Sequence, residues 1–161
     1  MESMYYADTM AGSARFGELP FAEYGKPVVH AVATGEVSGS TPILPPGAAG
    51  MTLTTIAHLT ANDMIVGDSR TEATGPFGIA LRLAARRFAA VGLEVAGTRQ
   101  LRLLGESGTG RFDATPAGEG DAATAVPGHF AVSGWSHISA EHRFSLPDGL
   151  LVLPRPGDPL C

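Results

Sequence analysis

"MTLTTIAHLTANDMIVGDSRTEATGPFGIALRLAARRFAAVG", residues 51–92, passes from a period of two to a period of 3.6, and its reading decides the fold. In residues 51–60, Met51, Leu53, Ala57 and Leu59 fall on one face and Thr52, Thr54, His58 and Thr60 on the other, the alternation of a half-buried strand. "AND" turns the chain, and "MIVGDSRTEA" (64–73) is the return strand of a hairpin. Then the period changes. Phe77, Leu81, Ala84, Phe88 and Val91 recur at helical spacing, Thr74 and Pro76 supply start signals and Gly92 a stop. At about 1.5 Å per residue the helix 76–91 spans roughly 24 Å, enough to cross one face of a sheet.

Outward from this stretch, residues 1–27 read as an extended N-terminal arm. "KPVVHAVATGEVSGS" (26–40) has the β-branched content of a strand, and "STPILPPGAAG" (40–50) is a loop rich in proline and glycine. After the helix, "LEVAGTRQLRLLGES" (93–107) puts Leu93, Val95, Leu101 and Leu103 on one face and reads as another strand. Residues 107–128 form a long Gly/Ala/Thr-rich segment, which as a loop is either a functional lid or disorder. "HFAVSGWSHISAEHRFSL" (129–146) reads as a strand bending near Gly134, and "LPDGL" turns it back onto "LLVLP" as a C-terminal β-hairpin. Residues 154–161 are a tail expected to be mobile. The expectation is one domain over 1–161, of α+β class: a mostly antiparallel β-sheet, open or curled toward a barrel, packed on one long central helix.

Composition narrows the function. The chain of 161 residues is 44% hydrophobic and 17% charged, which fits a soluble globular domain with one core. Sixteen acidic against eleven basic residues leave a net charge of -5, which repels phosphate backbones and anionic lipids, so neither nucleic acid nor membrane is an expected partner. No apolar run reaches bilayer length, and the N-terminus lacks the basic start and apolar core of a secretory signal; the expected location is cytoplasmic. Cys161 has no partner for a disulfide, and Lys26 is the sole lysine available to amine chemistry.

The chemistry-bearing residues gather in two places. Within 129–146, Phe130, Val132, Ile138, Ala140, His142 and Phe144 share the core face, while Trp135, His137, Ser139, Glu141 and Arg143 share the other. His137 as general base, Glu141 as its orienter, and Arg143 beside Trp135 as anion contact would make an acid–base site; the same residues also suit the wet face of an edge hairpin. Asp68, Arg70 and Glu72 lie on one strand face before the helix, where a ligand could also meet N–H groups near Phe77 and Gly78, although structural ion pairing explains them equally well.

Other motifs fall short. His137 and Glu141 with His58, His30 or Asp68 lack both a close His-x-His pair and an HExxH helix, so no metal and no cofactor is expected. "GWSHI" has Ile138 where a nucleophile elbow needs glycine, and "GESGTGR" (105–111) has no Lys-Ser/Thr of a P-loop. Arg82, Arg86, Arg87, Arg99 and Arg102 cluster with Ile79 and Leu83, which makes the outer face of helix 76–91 a candidate homo-oligomer contact. Two functions follow. One is a small-molecule-binding domain, with acid–base chemistry of a lyase, isomerase or hydrolase on a small organic anion; the other is a non-catalytic oligomeric interaction or assembly protein.

Overall fold

Successive side chains of a β-strand alternate between the two faces of its sheet, and in the strands Ile65–Thr74 and Thr124–Val132 the inward set is apolar apart from Ser69, Thr71 and Thr124. The computed structural model describes residues 5–6, 12–32, 35–113 and 124–133. After a short 3-10 turn at Phe21–Glu23 come β1 (Pro27–Val32), β2 (Gly35–Ser40), β3 (Gly50–Leu59), β4 (Ile65–Thr74), α1 (Gly75–Val91), α2 (Leu93–Leu103), β5 (Gly108–Phe112) and β6 (Thr124–Val132). Two antiparallel sheets result, a two-stranded β1-β2 and a four-stranded sheet in the order β3-β4-β6-β5. The class is α+β.

The hairpin of residues 51–73 forms as its alternation requires, in a register from Gly50 opposite Thr74 to Leu59 opposite Ile65. Thr60 closes its turn, donating its N–H to the Met64 carbonyl at 2.8 Å. On β4, Ile65, Ser69, Thr71 and Ala73 point inward, and on β6 Thr124, Val126, Gly128, Phe130 and Val132 do the same. Against this inner face α1 packs Leu81 with Phe77, Ala84 and Phe88, and α2 buries Ala96 and Leu101. Phe88 stacks on Phe112 with centroids 4.5 Å apart. The hydrophobic core lies between sheet and helices.

Several expectations are corrected. Residues 93–103 are helix, not strand. Leu93, Val95, Leu101 and Leu103 are all odd-numbered and mimic period two, but Val95 is 62% and Leu103 71% exposed, while Ala96, Gly97 and Leu101 are the buried positions. Small residues leave little trace in a hydrophobic pattern, yet here they permit close packing. The helix ends in a Schellman motif, with Gly105 at φ 82, its N–H donating to Arg102, and the Glu106 N–H donating to the Leu101 carbonyl at 2.9 Å. Thus two helices, rather than one long central helix, cover the sheet.

The four-stranded sheet is open, not a closed barrel, and among the described residues β3 and β5 are its edges. α2 packs along β5. The segment 26–40 is a hairpin of two strands instead of one strand, and the supposed loop 107–128 contains β5 and the first half of β6. Residues 114–123 of that segment, the later part of the 129–146 strand, the C-terminal hairpin and the 154–161 tail lie outside the described residues.

Part of the N-terminal arm lies against the outer side of α1. Arg82 donates to the Ser13 carbonyl at 2.7 Å and to Thr124 Oγ1 at 2.9 Å, and it is ion-paired with Glu18. Arg86 donates to the Gly12 carbonyl, and Phe21 meets Phe77 edge-on at 4.8 Å. Burial pushes the Arg82 pKa down, and Glu18 opposes that shift.

Gly97 sets the distance between α2 and β5, because a Cβ there would fall on the Gly110–Arg111 peptide. Gly97→Ala is expected to cost about 3 kcal/mol by forcing helix and strand apart. Chemical denaturation checks this; a loss below about 0.5 kcal/mol, the usual scatter of surface substitutions, would show that the helix is not held this closely.

Candidate functional site

With both helices on one side, the other side of the four-stranded sheet is left uncovered by the described residues. Its outward positions on β3 and β4 are Thr52, Thr54, Ile56, His58, Val66, Asp68, Arg70 and Glu72, all exposed or half-buried. The ladder then decides which of them meet. Ile56 stands opposite Asp68, Asp68 opposite His129, and His129 opposite Arg111, so one row crosses all four strands. Side chains directly opposite one another in antiparallel strands have Cβ atoms about 5 Å apart, within reach of an ion pair.

His129 is the centre of this row. Its Nδ1 faces an Asp68 carboxylate oxygen, and its Nε2 lies 2.7 Å from Asp113 Oδ2. Asp113 is placed just past β5 by its N–H, which donates to the Pro127 carbonyl at 2.9 Å, and its other oxygen is 3.5 Å from Arg111 Nε. Hydrogen bonding to Asp68, then to Asp113, raises the His129 pKa above its ordinary value. When protonated, the ring donates an N–H to each carboxylate. The ring is 56% exposed, so the network stands at the surface, in water.

A depression of about 230 Å³ opens beside His129, lined also by Glu94, Thr109, Arg111 and Ala131. At Glu94 and Thr109 it meets a larger one of about 560 Å³, which follows α2 past Val95, Thr98, Arg99 and Arg102. Thr98 Oγ1 receives the Gly110 N–H at 3.2 Å and faces the Gly110 carbonyl at 3.3 Å, which ties α2 to the edge strand between the two depressions.

Of the residues singled out from sequence, Asp68 and Arg70 share the outward face of β4, but only Asp68 joins the cluster. Arg70 is held by Glu72 at 2.9 Å, the ion-pair reading of that segment. Neither reaches the start of α1, where Pro76 and Gly78 are buried on the opposite side of the sheet. His137, Glu141, Arg143 and Trp135 lie outside the described residues, as do Ser136 and His142. His30 is 3.3 Å from the Tyr6 hydroxyl, and His58 stands on β3 opposite Val66. Among the described residues no group of three His, Cys, Asp or Glu side chains is arranged to hold a metal ion. No helix among them is long and apolar enough to cross a membrane.

His129 and Asp113 are the residues that reading the sequence missed. The outward direction of His129 was available from its parity with Phe130 and Val132, which face the core. Its partners were not, since Asp68 is 61 residues away and Asp113 is 16. The chain matches no protein-family model, no curated protein and no solved structure.

Because the folded-state pKa of His129 is raised above the unfolded value of about 6.5, its stabilising contribution is complete below that value. The contribution is lost as pH rises through the folded pKa. Denaturation midpoints measured from acid to mildly alkaline pH are expected to fall over that window in the native chain and to stay flatter in His129→Gln. In an NMR titration, Asp68→Asn is expected to return the His129 pKa toward the ordinary value further than Asp113→Asn. A ring titrating at the ordinary value in the native chain would remove the network.

Proposed function

We propose that the protein is a small-molecule-binding domain that takes a small organic anion in the depression beside His129. The observation that carries this reading is a histidine with a carboxylate on each ring nitrogen, at the lip of a concavity that also contains Arg111. Four residues of alternating sign stand close together there. Asp68 holds Nδ1 and fixes the ring, as an orienting carboxylate does for a general acid or base. Asp113 is shared between Nε2 and Arg111, so an incoming carboxylate takes its place by accepting from both.

The raised pKa widens the pH range over which His129 carries its proton, and the protonated ring is the form needed to protonate a leaving group or an enolate oxygen. This supports acid–base chemistry of the lyase, isomerase or hydrolase kind, with His129 and Asp68 in the roles that sequence alone assigned to His137 and Glu141. Electrostatic catalysis reaches its full strength only where water is excluded, and because His129 is largely exposed the bound ligand itself must cover the ring.

Titration of the full chain with acetate and succinate, followed by NMR, is expected to give saturable shifts at Thr109, Arg111, His129 and Ala131. Arg111→Ala is expected to weaken them about tenfold, the loss of one charge-assisted hydrogen bond. Shifts that stay linear with concentration and equal in the variant would sink the reading.

A second reading, self-association, is favoured by the free edge of β3. This ten-residue strand pairs only with β4 among the described residues and exposes Ile56 at 59% and Leu59 at 55%. Long unprotected edges template pairing with another copy. The outer face of helix 76–91 is the poorer surface, because Arg82 and Arg86 are taken by the chain's own arm. Light scattering at micromolar concentration distinguishes the two: a dimer dispersed by Ile56→Lys supports assembly, and a monomer excludes it.

A further inference from the structure

The larger concavity along α2 carries a separate inference. Val95, Arg99 and Arg102 follow one another at i, i+4 and i+7, so they form one stripe, and Thr98 and Thr109 flank it across the helix–strand contact. Arg99 and Arg102 have no acidic partner among the described residues, although the chain holds more carboxylates than basic groups. Glu18, Glu72, Asp68 and Asp113 are all paired elsewhere. Two like charges three residues apart on a helix repel by a few tenths of a kcal/mol.

The last helical turn explains one of them. Arg102 is placed where a cation complements the helix C-terminus, but Arg99 is a turn earlier and gains little from it. Helical side chains lean toward the N-terminus, which brings both guanidinium groups over the turn that holds Val95 and Thr98. Val95 is 62% exposed in a concavity of about 560 Å³, a size typical of small-molecule sites. The wall is preformed, because Thr98 is bonded to the Gly110 backbone on the far side.

We infer that this cleft between α2 and β5 is a binding site for a small phosphate monoester, with the phosphate on Arg99 and Arg102 and an apolar body on Val95. Planar guanidinium forks suit a tetrahedral dianion and bind it bidentately. Glu94 stands at the opposite end of the cleft, about 12 Å along the helix from Arg102, repelling a second anion and accepting hydrogen bonds from a donor at the ligand's far end. The ligand therefore has one anionic end and fits within that length. A nucleic-acid backbone does not, since it needs a track of cations and the chain is acidic overall.

This inference does not rest on the sheet-face reading, and its test keeps the two apart. The full chain is titrated with phenyl phosphate by NMR, with inorganic phosphate and benzoate as separate arms. Saturable shifts at Val95, Thr98 and Thr109 are expected, with Arg99→Gln and Arg102→Gln each weakening the dissociation constant about tenfold. Arg87→Gln removes an exposed arginine of α1 away from the cleft and is expected to change nothing. Phenyl phosphate is expected to bind more tightly than inorganic phosphate, because only the former covers Val95, and benzoate more weakly than phenyl phosphate, because it carries a single charge.

His129→Gln is expected to leave the phenyl phosphate affinity unchanged. Equal weakening by Arg87→Gln would mean diffuse charge attraction and would overturn the site; so would loss of binding in His129→Gln, or benzoate binding as tightly as phenyl phosphate. Thermal melting of both cleft variants checks that these exposed substitutions leave the fold intact.

Discussion

The contact on which the rest depends is the approach of Gly97 on α2 to the Gly110–Arg111 peptide on β5, with no side chain between. At any greater separation Thr98 would lose its bonds to the Gly110 backbone, and Leu101 would withdraw from the core it shares with Phe112 and Val132. The same contact occupies the edge of the sheet. Among the described residues the sheet is four strands wide, with β5 at one side backed by α2. The two depressions share Glu94 of α2 and Thr109 of β5 in their walls.

The outward face of that sheet is organised by charge rather than by packing. An exposed ion pair contributes little to stability, because water screens it and two side chains must be ordered to make it. The Asp68–His129–Asp113 network is therefore not what holds the fold together. It is an arrangement that presets the protonation of one imidazole, using carboxylates from β4 and from the end of β5. The Arg82–Glu18 pair works differently. Only partly exposed and joined to Ser13 and Thr124, it fastens the N-terminal arm to α1 and to β6 at once.

Arg82 and Arg86 also show how one cluster of like residues divides in space. Five arginines fall between residues 82 and 102, and the sequence presents them as one basic surface. In the fold two are turned onto the chain's own backbone, and two others face a concavity on α2 without acidic partners among the described residues. Charge density along a chain is a statement about the average field. Which cations are free to meet a ligand depends on where the acidic groups and carbonyls end up.

The hairpin of residues 51–73 and the helix after it were legible because each relies on local rules: period-two alternation, a polar turn, helical spacing, and start and stop residues within a few positions. The class, α+β with mostly antiparallel strands, follows from these. The second helix was hidden because its buried positions are Ala96 and Gly97, whose value lies in how little space they occupy, and that has no meaning until β5 is beside them. The outward faces of Asp68 and His129 were likewise set by parity. Their meeting was decided by strand order, which puts β6 between β4 and β5 and joins residues 61 apart. Local periodicity determines which way a side chain points; only the register of nonlocal strands determines what it meets.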